Sequence, residues 1–114
     1  MISASLTYSI DKCKVALIVE GHAGQAEKGH DIVCASASIL AYTVAQYVRY
    51  VQKLGGMKTK PLIELKDGYM YISVCPTEKY FAEVLNAFFV AEVGYSLLAH
   101  NYPQYVELNV FGKV

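Results

Sequence analysis

The sequence predicts an α+β fold: a two-layer sandwich of a mainly antiparallel sheet with two long helices on one face. Three observations lead there. Two pairs of segments carry β-type apolar patterning, turn residues join the members of each pair, and each pair is followed by a long stretch of helical periodicity. The order is ββα-ββα, with a possible short strand at the C-terminal end.

Ile2, Ala4, Leu6 and Tyr8 alternate with Ser3, Ser5, Thr7 and Ser9, the pattern of a half-buried strand. Asp11-Lys12 reads as a tight turn, and Cys13 to Glu20 as the second strand, ended by Gly21-His22-Ala23-Gly24. Gln25 to His30 is polar and without period, and its bounding glycines, Gly24 and Gly29, suit a flexible loop. From Asp31 onward Val33, Ala37, Leu40, Val44, Val48 and Val51 recur at spacings of three and four, so they share a helical face. Asp31 fits the N-cap of that helix and Gly55-Gly56 its end. Leu62 to Lys66 and Tyr69 to Cys75 flank Asp67-Gly68, a strong hairpin signal. Thr77 then caps a helix whose stripe is Phe81, Val84, Leu85, Phe88, Ala91, Tyr95 and Leu98, stopped at Asn101-Tyr102-Pro103. Tyr105 to Val110 suits a last strand. The order of strands in the sheet does not follow from the pattern.

With 114 residues, the chain reads as a single domain, 1–114. Apolar residues make up 54% and charged residues 18%, which excludes a disordered segment. Ten basic residues balance ten acidic ones, which argues against nucleic acid as a partner. No apolar run approaches membrane-spanning length, and residues 1–10 lack the basic start and apolar stretch of a secretory leader, so no membrane partner is expected. Three widely spaced cysteines make no disulfide framework and suit a reducing, cytoplasmic compartment.

The chemistry lies in Gly21-His22-Ala23-Gly24 … Gly29-His30-Asp31-Ile32-Val33-Cys34-Ala35. His22 stands at a strand end. With Asp31 as cap, Cys34 falls at about the third helical position, where unpaired N–H groups and the helix dipole favour a thiolate. A histidine nearby can take the thiol proton and return it to a leaving amine, and the Cys34 amide can help hold an oxyanion. Asp31 is either a structural cap or a group orienting His22, and the cap is the simpler reading. Ser38, one turn beyond Cys34, shares its helix face as a small polar residue that permits close packing. His22, His30, Asp31 and Cys34 lack the paired spacings of a structural zinc site, and no metal or other cofactor is expected. Gly24 to Asp31 outlines a P-loop without its lysine or hydroxyl residue, which excludes that reading. Cys13 and Cys75 fall in predicted strands and read as buried, inert thiols.

Gly21-His22-Ala23, Gly29-x-Asp31-x-Val33-Cys34-Ala35 and Ser38 together resemble the signature of the ribosomal-processing cysteine proteases, the Prp family. The leading hairpin, the Asp67-Gly68 hairpin and Tyr102-Pro103-Gln104-Tyr105 extend the likeness over nearly the whole chain. The resemblance implies a bacterial, usually homodimeric endopeptidase with a Cys34/His22 dyad, Cys34 as nucleophile and His22 as general base. It also implies the substrate, a short N-terminal extension of large-subunit ribosomal protein number twenty-seven, cut after an aromatic residue in a segment like Asn-Leu-Gln-Phe-Phe-Ala. Two other readings of the residues stay open: a non-catalytic peptide-binding or dimerisation module, and a thiol redox or metal-responsive protein.

Overall fold

The computed structural model describes residues 1–22 and 28–112 of the chain, with the side chains of residues 28–31 outside the description. Its elements are β1 (Ile2–Ser9), β2 (Lys14–Gly21), α1 (Lys28–Lys53), β3 (Leu62–Lys66), β4 (Tyr69–Val74), α2 (Glu78–Asn101) and β5 (Val106–Phe111). The strands form one five-stranded sheet in the order β3-β4-β2-β1-β5. Three pairings are antiparallel, and β5 runs parallel to β1 along the edge. This is the predicted α+β sandwich, C-terminal strand included.

The alternation in the strands decides which face the helices cover. Ala4, Leu6, Leu17 and Ile72 point to one face and are wholly buried, beneath Val33, Val48, Phe88 and Tyr95 of the helices. Ser3, Ser5, Ala16 and Ser73 point to the opposite, partly solvated face. By length and composition both helices could cross a bilayer. Each instead lays one face on the sheet, with Ala37, Ala41 and Ala45 of α1 and Val84 and Ala91 of α2 in the shared core.

Four local expectations are corrected. Helix α1 begins at Lys28, three residues before Asp31, so Asp31 is an internal residue of the helix and not its N-cap. Glycine in a helix costs about 1 kcal/mol, and the packed stripe from Val33 onward outweighs that cost at Gly29. The expected loop is accordingly shorter: Gly29 and His30 belong to α1, while Gly24 and residues 25–27 lie outside the described residues. Cys13 lies before β2, in the turn, with φ +52°. The Lys12 and Cys13 amides bond back to the carbonyls of Ser9 and Ile10 at 3.2 and 3.1 Å, so Cys13 reverses the chain before the strand starts. Cys75 follows the end of β4, and both thiols are half-buried instead of fully buried.

The strand register fixes what meets at one end of the sheet. Glu20 of β2 faces Tyr69 of β4, so the β3–β4 turn lies beside the end of β2. There the Gly21 amide donates to the Gly68 carbonyl at 3.0 Å. On the other side of β2, Ile2 pairs with Gly21, and the Met1 amino group donates to the His22 carbonyl at 2.7 Å. His22 thus sits on a strand end held from both flanks.

Candidate active site

A cleft of about 140 Å³ opens at this end of the sheet, and His22 and Cys34 both line it. One wall is α1, which contributes Cys34, Ser38 and Tyr42 at successive intervals of four residues. The opposite wall is Gly21 and His22 with Lys66 at the end of β3 and the turn residues Asp67 and Gly68. Ile2, Val19, Ala37 and Met70, all buried, form an apolar floor. Polar groups that can do chemistry therefore stand above a floor that can hold an apolar side chain.

The structure brings His22, Cys34 and Ser38 to one cleft, and among the described residues no hydrogen bond joins the imidazole to the thiol. Cys34 is half-buried and free, and His22 is exposed. The Asp31 side chain, and with it the alternative in which Asp31 orients His22, lies outside the described residues.

The earlier start of α1 changes the electrostatic argument at Cys34. With the helix beginning at Lys28, Cys34 is in the second turn, and its amide belongs to the intrahelical ladder. The unpaired N–H groups and the dipole's local effect are confined to the first turn. The helix terminus therefore neither offers the Cys34 amide as an oxyanion donor nor acts on its sulfur as expected.

Sequence reasoning missed the part of the far wall that comes from β3 and its turn, and the floor. Lys66 read only as a strand end and Asp67-Gly68 only as a hairpin turn, because nothing in the pattern places β4 next to β2. Tyr42, 46% exposed, stands two helical intervals beyond Cys34, and nothing in the sequence pattern ties it to the site. Among the described residues no group of three or more His, Cys, Asp or Glu side chains is arranged to hold a metal.

The family model described as cysteine protease Prp matches residues 1–107. No curated protein sequence matches the chain. Among solved structures it is similar to the essential ribosomal processing protease Prp from S. aureus in complex with a covalently linked product peptide. That match has 28% identity and a TM-score of 0.68, and covers 96% of this chain and 99% of that one. SMU.848 from Streptococcus mutans matches at 27% identity and a TM-score of 0.70, covering 99% of this chain and 96% of its own. The S. aureus protease in complex with a substrate peptide matches at 26% identity and a TM-score of 0.67, covering 96% and 99%. With a cysteine and a histidine sharing its cleft and the family model matching nearly its full length, the chain belongs to the cysteine protease family Prp.

Proposed function

We propose that this protein is a cytoplasmic cysteine endopeptidase that removes a short N-terminal extension from large-subunit ribosomal protein number twenty-seven, cutting after an aromatic residue. The observation that carries this reading is the single cleft lined by both His22 and Cys34 above an apolar floor. The likeness to a ribosomal processing protease bound covalently to its product supports a nucleophilic route and a peptide substrate.

In this mechanism an extended peptide enters with an apolar side chain on the floor of Ile2, Val19 and Met70. His22 takes the Cys34 thiol proton, and the sulfur attacks the scissile carbonyl. The imidazolium then protonates the departing amine, leaving a thioester on Cys34. Water gives a proton to His22, attacks the thioester and releases the acid product, and the proton returns to the thiol. Asp31 and Ser38 support the site, Asp31 within the helix before Cys34 and Ser38 beside it on the cleft wall.

The enzyme is further proposed to work as a homodimer. Phe89, Val93 and Leu97 form an exposed stripe on α2 with Val90 beside them, an apolar face suited to a second copy. Sedimentation of the purified protein at twice the monomer mass of 12.6 kDa supports this, and a monomer at all concentrations refutes it.

The test is incubation with a peptide spanning Asn-Leu-Gln-Phe-Phe-Ala and mass analysis of the products. Cleavage by the wild type, lost in Cys34→Ser and in His22→Ala, is the expected result. Turnover retained in either folded variant overturns the dyad, and an intact peptide with the wild type overturns the substrate assignment.

A further inference from the structure

Two glycines in this protein have the same left-handed backbone but different surroundings. Gly55 and Gly68 both have φ +79°. A Cβ built on Gly55 meets nothing within 4 Å, whereas one on Gly68 lies 2.5 Å from His22 Nε2, 2.8 Å from Cε1 and 3.4 Å from Cδ2. The turn conformation alone accounts for glycine at position 55. At 68 there is a second requirement, because the missing side chain is the space in which the Nε2–Cε1 edge of the imidazole rests.

We propose that the β3–β4 turn, through Gly68, positions the His22 imidazole for catalysis. This rests on the reading of His22 as the general base. Two contacts carry it. The Gly68 carbonyl accepts the Gly21 amide at 3.0 Å and fixes the backbone from which His22 projects. The bare Cα of Gly68 then supplies the surface against which the ring packs. The Nε2–Cε1 edge of the ring thus meets the turn at Gly68, where an added side chain would have to move it. A methyl group here displaces an exposed ring, which costs the fold little and moves the base. Misplacement of a catalytic group by about 1 Å can lower turnover by about 100-fold.

The experiment compares Gly68→Asn with Gly55→Asn, since asparagine tolerates the left-handed backbone while adding a Cβ. Gly68→Asp has the same tolerance and is the second variant, held to the same outcome. For both Gly68 variants kcat for the peptide should fall about 10- to 100-fold, with KM changed less than about threefold. The pH dependence of Cys34 alkylation by iodoacetamide should shift from the wild-type profile toward that of His22→Ala. Gly55→Asn should keep wild-type kcat and profile, and melting temperatures should place the variants at both positions in the same folded range. Wild-type kcat in the Gly68 variants, beside an inactive His22→Ala, overturns the positioning role and leaves the dyad standing. Equal kcat losses at positions 55 and 68 reduce the effect to backbone strain and overturn it too. Full turnover in His22→Ala removes the dyad, and the positioning role with it.

Discussion

The Tyr95 hydroxyl donates a buried 2.8 Å hydrogen bond to the Ala37 carbonyl, tying α2 to the stretch of α1 between Cys34 and Ser38. Beside it the helices approach so closely that a Cβ on Gly94 would lie 2.8 Å from Leu40 Cδ2. The wall of the cleft that bears the thiol is therefore located by the second helix as well as by the sheet. Tyr95→Phe keeps the ring and removes the donor, and should cost about 1 kcal/mol of stability. Urea titration should show a lower midpoint with an unchanged slope. An unchanged midpoint would mean that the bond contributes nothing net.

Tyrosine ionisation should limit stability at alkaline pH. Burial raises the Tyr95 pKa above the ordinary phenol value, and burial reinforced by the hydrogen bond to Glu92 and that carboxylate's charge raises Tyr8. Above pH about 10 the unfolded chain loses these protons while the folded chain keeps them. The folded state then binds more protons, so stability falls as pH rises. The contribution is complete below pH about 10 and is lost progressively above it. The urea midpoint should therefore stay level as far as these groups govern it up to pH about 9 and decline beyond about 10. The decline should be shallower in Tyr95→Phe; an identical decline would remove Tyr95 as a cause.

The architecture was legible because its signals are local. Period-two runs such as Ile2 to Ser9, the Val33 to Val51 stripe and the Asp67-Gly68 turn each report on a few neighbouring residues. The start of α1 was not, because Gly29 and the polar residues around it signal a loop while packing further along sustains the helix. The chemistry-bearing pair was legible as residue types at a strand end and in a helix. The turn beside His22 was not, since Gly68 reaches His22 only through the pairing of β2 with β4, a long-range choice that no local pattern encodes.

The three free cysteines are all half-buried, so none is set apart from the others by full exposure or full burial. A large difference in alkylation rate would then reflect chemistry at the sulfur more than access to it. Iodoacetamide at neutral pH should modify Cys34 at least about tenfold faster than Cys13 or Cys75 if an imidazole activates it. Peptide mapping of a time course measures the three rates in one sample. His22→Ala should bring Cys34 down to the level of the others, and three similar rates in the wild type would count against an activated thiol.

Tyr42 stands on the same wall as Cys34, half-exposed at the cleft's rim and close to its apolar floor. An aromatic substrate side chain seated on that floor would meet the phenol ring edge or face, a contact of about 0.5–1.5 kcal/mol beyond simple burial. Tyr42→Ala should therefore lower kcat/KM for an aromatic peptide by about 2- to 12-fold. For a peptide with leucine in place of the aromatic residue the loss should be smaller, because only part of the contact depends on the ring. The ratio of the two specificity constants, measured for wild type and variant, isolates the aromatic contribution from any general damage to the cleft. A ratio unchanged by the substitution would remove Tyr42 from substrate selection and leave that role to the floor residues Ile2, Val19 and Met70.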